Sequence, residues 1–469
     1  MSRLVVYSNR LPLGSSPSGG LVVALGKAMD RRGGVWIGAK LDEDETTGQT
    51  LKSYEGASFD RYALHLPAEE YNNYYLGYAN SVLWPLFHGR ADLLDVADGQ
   101  LAAYTSVNRK MAEASVDLLE DDDVIWIHDY HFIPLAAELR KLGVTNPIGF
   151  FLHTPFPSSS NLHALSHKEM LLDWLAAYDL VGLQTQRDVS AMLEVCRTIF
   201  GGQVLSDGRI RSQGQDIWAA SFPIGIDVEK FRQTAESQEV TSPQIDPRQK
   251  LLIGVDRLDY SKGLPHKFRG FQRFLEDQTD DSDRLTLLQI ASPTREDVEA
   301  YQEIRHELEQ ITGEVNGEFA ELGYIPIQYI HRAVPRDYLA GLYRQAAIGL
   351  VTPLIDGMNL VAKEYVAAQD AEDPGVLILS ESAGAAEQLK CGALIINPYD
   401  PTSIAEAIRT AVSMTLEERI ERHQAMWTEI LKRNVYWWTE TFLDRLNRNA
   451  ASRLSRDRSL ADLETALRR

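Results

Sequence analysis

Short apolar runs rich in β-branched residues alternate with longer stretches of helical periodicity along the whole chain, the pattern of parallel sheets covered by helices. In the first half the runs predict strands at Leu4 to Tyr7, Gly34 to Ile37, Tyr62 to Leu66, Val124 to Ile127, Ile148 to Leu152, Leu180 to Leu183 and Ile217 to Ala220. Ser221 to Val228 reads as a connector, and Glu229 to Gln249, helix-like and then broken by proline, as an interdomain linker. A second series follows at Leu251 to Val255, Leu285 to Ile290, Gln328 to Ile330, Ala347 to Thr352, Gly375 to Leu379 and Ala393 to Ile396. After Pro401 the pattern is almost all helical. The 469 residues exceed what one core organises, since single cores stop growing near ~250 to 300 residues. The fold class is therefore α/β, with two doubly wound domains.

Composition changes this picture little: 44% hydrophobic and 24% charged residues are those of an ordinary globular protein. Charge changes it more. A net charge of −20 repels nucleic-acid phosphates and anionic membranes, so neither is an expected partner, and a phosphate ligand needs a local cationic pocket. Cys196 and Cys391 have neither CxxC nor Cys/His spacing, which points away from disulfides and zinc and toward a reducing cytoplasm. No stretch reaches the ~18 apolar residues of a membrane span.

In doubly wound sheets ligands lie beyond the C-terminal ends of strands, so the residues after each apolar run carry the candidate chemistry. After the first run come Ser8, Asn9 and Arg10, then a loop closing on Gly19 and Gly20, whose spacing is not GxGxxG. HDYH (128–131) and HTPFP (153–157) place histidines and a carboxylate after two further runs. DRLDYSKGL puts Arg257 and Lys262 at another strand end, and Arg295 follows the next. The Arg257 guanidinium and the Lys262 ammonium can neutralise a diphosphate and the charge on a departing one, and Arg295 stands in the equivalent position one strand along. The stretch DGMNLVAKE (356–364) reads as a strand, a tight turn on Gly357 with positive φ, and a helix whose free amides begin at Met358. Asp356 and Glu364 flank that anion-seeking end, which suits a ligand combining a diphosphate with hydroxyls.

The segments SNR, the GG loop, NSVLWPLFH, VIWIHDYH, GFFLHTPFP, VDRLDYSKGL, DGMNLVAKEYVAAQ and INPYD together resemble the trehalose-6-phosphate synthase family, retaining glycosyltransferases of family 20 with the GT-B fold. The resemblance covers almost the whole chain. It implies two Rossmann-like domains with a nucleotide sugar in the cleft. Residues 1–235 would bind the acceptor, joined by a crossing helix at about 440–469, and 236–440 the nucleotide sugar. Carried over by position, Arg257 and Lys262 would hold the donor diphosphate, Glu364 the ribose hydroxyls and Asp356 the donor sugar. Leu360, Val361, Ala362 and Lys363 would lend backbone amides, and Val334 a main-chain contact to the base. Gly19 and Gly20 would close over the donor, with His153 against its sugar. Arg10, Tyr75 and Arg295 match acceptor-phosphate positions, Trp84 and Asp129 acceptor-sugar positions.

The resemblance implies glucose transfer from a nucleoside diphosphate glucose, UDP-glucose first, to glucose 6-phosphate, giving α,α-trehalose 6-phosphate. No metal is expected to be required, with magnesium at most stimulatory, and a homo-oligomer, dimer or tetramer, is expected. Two departures fall on the acceptor side: Ala39 and Lys40 stand where the family commonly has Trp-Ser, and Thr154 where it has Ile. They keep open another phosphorylated acceptor, such as glycerol phosphate or a cyclitol phosphate. A catalytically silent sugar-phosphate sensor is the alternative from another class. The intact Arg257, Lys262, Asp356 and Glu364 argue against it.

Overall fold

In the computed structural model the chain forms two compact units, Met1–Pro223 with Val435–Arg469, and Ile224–Asn434. The structure describes residues 2–13, 20–42, 51–55, 58–206, 208–240, 249–278, 284–295 and 298–467, with side chains to Arg453.

The first unit holds the strands β1 (Leu4–Tyr7), β2 (Val35–Leu41), β3 (Leu51–Tyr54), β4 (Asp60–Leu66), β5 (Val124–His128), β6 (Ile148–Phe151), β7 (Leu180–Leu183), β8 (Gln203–Val204), β9 (Ile210–Ser212), β10 (Gln215–Ile217) and β11 (Ala219–Ser221). Its main sheet runs β11-β7-β6-β5-β1-β2-β4-β3. All pairs are parallel except β3 with β4. β1, β5, β6 and β7 are buried at every position, as apolar runs in doubly covered parallel sheets must be. Strand order reverses between β1 and β5, so the loops after these two strands border a switch point where doubly wound sheets bind ligands.

Two expectations change here. β2 continues past Ile37 because its ladder with β4 extends to Leu41, so Gly38, Ala39 and Lys40 lie inside the sheet. The expected strand from Ile217 to Ala220 breaks at Trp218 into β10, part of a three-stranded antiparallel sheet, and β11, which joins the main sheet.

From Val435 a long helix runs to Leu467 and packs on this unit. Its buried residues Trp438, Phe442, Leu446 and Ala450 recur every fourth position and form one face. Trp126 lies 4.6 Å from the Trp438 ring and stacks at 4.7 Å on Phe442. Gly149 and Gly182 are required beneath it, since an added Cβ would come within 2.7 and 2.6 Å of the Phe442 ring.

The second unit holds β12 (Lys250–Arg257), β13 (Leu285–Ser292), β14 (Ile327–Ile330), β15 (Ile348–Val351), β16 (Val376–Ser380) and β17 (Leu394–Ile396), ordered β14-β13-β12-β15-β16-β17. All pairs are parallel, over a core that includes Leu252, Phe268, Phe271, Leu287, Ile348 and Ile404. The order reverses between β12 and β15, which places the loops bearing Lys262 and Asp356 side by side.

The change of unit falls before the expected 235. The helix Val228–Ser237 buries Val228, Phe231 and Ala235, and Phe231 packs 6.3 Å from the Tyr343 ring. The return at 435 precedes the expected 440 because Trp438 already packs on Trp126. Among the described residues no helix is long and apolar enough to cross a membrane.

Candidate functional site

In the first unit the turn after β1 is fixed from within: Ser8 Oγ donates to the Arg10 carbonyl at 2.8 Å and accepts from Trp36 Nε1 at 2.9 Å. Asn9 Oδ1 accepts from the buried Tyr74 hydroxyl at 2.9 Å. This leaves the exposed Arg10 guanidinium beside the Tyr75 hydroxyl, with Nη2 donating at 3.1 Å. Tyr75 stacks on His131 at 5.6 Å. Two of the three expected acceptor-phosphate groups therefore meet, on a π-helical stretch, Asn72–Leu83, that no sequence signal announced. Trp84 follows in the short helix Trp84–Phe87, buried, 4.0 Å from the His88 ring and 5.8 Å from Tyr130.

After β5, Asp129 adopts a φ of 71°, a left-handed conformation that non-glycine residues seldom hold outside functional or tightly determined positions. Its Oδ1 accepts the His153 amide at 3.3 Å. Gln184 Nε2 lies 3.4 Å from His153 Nδ1, and His153 Nε2 shares a hydrogen bond with His128 Nδ1 at 3.0 Å. Burial pushes the His153 imidazole down to about 3 and His128 well below its usual range, so both rings are neutral near pH 7. His153 offers shape and a fixed dipole rather than a charge. Gly20 opens the helix Gly20–Arg32, and Gly19 lies outside the described residues.

In the second unit Arg257 is the last residue of β12 and is exposed. Lys262 ends the single turn Tyr260–Lys262, and Gly263 then reverses the chain at φ 63°. Only glycine fits there, since an added Cβ would stand 2.5 Å from the Thr352 carbonyl. Lys262 Nζ reaches Asp356 Oδ2 at 2.5 Å, with side chains only 10% and 15% exposed. The turn after β15 differs from the reading of DGMNLVAKE. The helix begins at Leu360, and the left-handed residue is Asn359, φ 72°, not Gly357. Asparagine tolerates this conformation because its short amide bonds locally. Here Oδ1 caps the Ala362 amide at 3.3 Å while Nδ2 donates to Asp356 Oδ2 at 3.1 Å.

The amides of Leu360, Val361, Ala362 and Lys363 thus form the first turn, Ala362 already capped by Asn359. The Lys363 side chain turns away, fully buried, and donates to the Ile224 carbonyl at 2.6 Å. Glu364 is buried, and its Oε1 accepts from Arg336 Nε at 3.0 Å and Nη2 at 2.7 Å. Val334 sits half-buried in the loop before the helix Arg336–Gln345. Arg295 is 7% exposed and lies against Asp259 and Tyr301. Sequence reasoning missed Asn359, Arg336 and Asp259. Arg336 alone left a signal: a cation in a first helical turn opposes the helix dipole and calls for a compensating anion.

Comparison with known proteins adds the following. The family model for Glycosyltransferase family 20 matches residues 9–448. A trehalose-6-phosphate synthase from Sodalis glossinidius (strain morsitans) is 42% identical over 96% of both chains. One from Sinorhizobium fredii (strain NBRC 101917 / NGR234) is 42% identical over 95% of this chain and 98% of its own. Among solved structures, an α,α-trehalose-phosphate synthase (UDP-forming) from Burkholderia xenovorans in complex with glucose-6-phosphate superposes with a TM-score of 0.90 at 43% identity, covering 95% of this chain and 100% of that one. The E. coli structure bound with UDP-2-fluoro glucose gives 0.89 at 40% identity, covering 95% and 99%. With two doubly wound sheets and a family match spanning nearly its whole length, the chain belongs to glycosyltransferase family 20 and has the GT-B fold.

Proposed function

We propose that the protein transfers glucose, with retention, from UDP-glucose to glucose 6-phosphate, forming α,α-trehalose 6-phosphate and UDP. The observation that carries this reading is the switch point of the second unit, where Lys262, ion-paired with Asp356 at 2.5 Å, stands beside the helix start at Leu360. It draws support from the solved relatives, one in complex with glucose-6-phosphate and one bound with UDP-2-fluoro glucose.

In the proposed reaction the bond from the glucose anomeric carbon to the diphosphate breaks while the acceptor oxygen bonds to the same face. The acceptor proton passes to the departing diphosphate oxygen. Arg257 and Lys262 stabilise the charge on that diphosphate. Asp356 is assigned to the donor sugar hydroxyls, Glu364 to the ribose, Leu360 to Lys363 and Val334 to main-chain contacts, and Gly19 and Gly20 to closure over the donor. Neutral His153 lines the donor sugar without titrating near pH 7. Arg10 and Tyr75 are assigned to the acceptor phosphate, as is Arg295, and Trp84 and Asp129 to the acceptor sugar. The cations do the work of a divalent ion, so no metal is required, and magnesium raises the rate modestly at most. A homo-oligomer, dimer or tetramer, completes the reading and is checked by sedimentation.

The test crosses UDP-, GDP- and ADP-glucose with glucose 6-phosphate, glycerol 3-phosphate, a cyclitol phosphate and glucose, with and without exhaustive chelation. The pair UDP-glucose and glucose 6-phosphate should turn over fastest in both conditions. Equal rates with unphosphorylated glucose would sink the phosphate assignment. A wide margin for glycerol 3-phosphate would replace the acceptor and keep the transferase, and loss on chelation restored by one metal would overturn the leaving-group assignment.

A further inference from the structure

The loops after β12 and β13 carry two cations with different assignments, Lys262 for the donor diphosphate and Arg295 for the acceptor phosphate. One enclosed carboxylate touches both loops. The Asp259 side chain is 0% exposed. On its own loop Oδ1 accepts the Ser261 amide at 2.9 Å and its carbonyl accepts the Lys262 amide at 3.0 Å, which closes the turn Tyr260–Lys262. Toward the next loop Oδ2 accepts from Arg295 Nη1 at 3.3 Å and from the Tyr301 hydroxyl at 3.0 Å. Tyr301 itself accepts from Arg295 Nη1 at 2.5 Å, so the three groups form a closed triangle. Burial first, and the Asp259 charge next, raise the Tyr301 phenol far above its usual range, which keeps the hydroxyl a donor to the carboxylate. The two loops are also joined by backbone, Leu258 N–H to the Ser292 carbonyl at 2.9 Å.

Arg295 holds a φ of 49°, a conformation non-glycine residues keep only where surroundings over-determine it. A long cationic side chain that is 7% exposed and held by a buried carboxylate has lost its rotamer freedom before any ligand arrives. We infer that Asp259, with Tyr301, is a positioning pair that fixes Arg295 and the Lys262 turn in one register, so that a single carboxylate sets affinity for both phosphorylated substrates. This rests on the substrate assignment proposed above. Neither residue is assigned a contact with substrate.

The experiment measures KM for both substrates, and UDP affinity by calorimetry, in the wild type, Tyr301→Phe, Asp259→Asn, Arg295→Ala and Arg295→Ala with Tyr301→Phe. Tyr301→Phe keeps the ring and its packing, so it tests the triangle even where Asp259→Asn fails to fold. It should raise KM for glucose 6-phosphate about tenfold and leave UDP affinity within twofold. Asp259→Asn should raise KM for glucose 6-phosphate at least tenfold and weaken UDP at least threefold, because it loosens both loops. On the Arg295→Ala background Tyr301→Phe should add less than twofold, the non-additivity of groups acting through one another. A merely structural pair would lower the melting temperature and leave both affinities unchanged, which would overturn the inference, as would full additivity. A wild type that does not glucosylate glucose 6-phosphate sinks the functional reading alone. The UDP affinity of Asp259→Asn then still decides the inference.

Discussion

The two switch points are built from different materials. Around the first unit's, the charged Arg10 and Asp129 stand among neutral groups: the paired imidazoles of His128, which ends β5, and His153, which follows β6, and the hydroxyls of Tyr74 and Tyr130, each donating to an amide oxygen. In the second, the loops after β12, β13 and β15 are laced with ion pairs, Lys262–Asp356 and Arg295–Asp259, and the end of β12 carries the fully buried Lys267–Asp256 at 2.7 Å. Desolvating a charge is costly unless a partner and further hydrogen bonds compensate it, so cations persist at a half-buried site only with carboxylates beside them. In a chain of net charge −20, the second unit thus holds its positive charges in fixed positions. The contrast gives most of the electrostatic work to the second unit, and to the first a selection by shape around the exposed Arg10.

The largest expected effect tests that division directly. Lys262→Ala and Arg257→Ala should each lower kcat about a hundredfold or more, the loss typical of removing one preorganised charge-stabilising donor. Arg257→Ala should keep the wild-type melting temperature, since Arg257 is exposed, whereas Lys262→Ala should lower it, because the enclosed Asp356 carboxylate loses its cation. His153→Gln should cost less than about a hundredfold, the lower edge of general acid–base catalysis, because a ring that burial has pushed down to about 3 is a weak base and carries no proton to donate near pH 7. Steady-state kinetics in which His153→Gln falls further than Lys262→Ala would break the comparison.

Most parallel strands of both sheets were readable because they are continuous apolar runs, buried along their length. β3 was not, since its middle residues are exposed and it pairs only at an edge. Strand-end logic singled out Arg257, Lys262 and Asp356 separately, and the strand order, reversing between β12 and β15, is what sets their loops side by side. What it could not supply was partnership. That Glu364 is held by Arg336, or that Asn359 rather than Gly357 makes the turn, depends on residues brought together by folding. The π-helix Asn72–Leu83, whose Tyr74 and Tyr78 rings pack against Tyr104, had no local signal either.

A substitution at Ala39 sharpens the comparison from the other side. Ala39 lies in the β2 ladder, its amide bonded to the Asn9 carbonyl at 3.2 Å, one residue from Arg10. The next residue, Lys40, places its ammonium 5.9 Å from the Tyr54 ring centre, which draws that cation to the β3 edge. If the first unit works by shape, Ala39→Trp should alter acceptor choice and leave kcat nearly unchanged. Discrimination for glucose 6-phosphate over glycerol 3-phosphate should rise about ten- to two-hundredfold, the range of one apolar contact of this size. A change in kcat with discrimination unmoved would place Ala39 in the fold and not in selection.

The smallest expected effect concerns the one cation of the site helix that breaks the second unit's rule. Lys363 is fully buried, donates to the Ile224 carbonyl at 2.6 Å, and has no carboxylate partner among the described residues. Burial, with the Arg433 charge second, pushes its ammonium down to about 7. In the unfolded chain lysine titrates near 10.4. Between about pH 7 and that value the unfolded state therefore binds one proton more than the folded state, and stability rises with pH through this window. The slope is at most about 1.4 kcal/mol per pH unit, on the order of 3 to 5 °C in melting temperature for a unit of this size. Lys363→Met keeps the length and removes the proton, so it should lose this increment while other pH effects remain. Melting curves of both proteins from pH 7 to 9 read the difference. Parallel slopes would mean that Lys363 keeps its charge in the fold, and that an ammonium here is stabilised by backbone alone. The rule that cations of this unit persist only beside carboxylates would then be wrong.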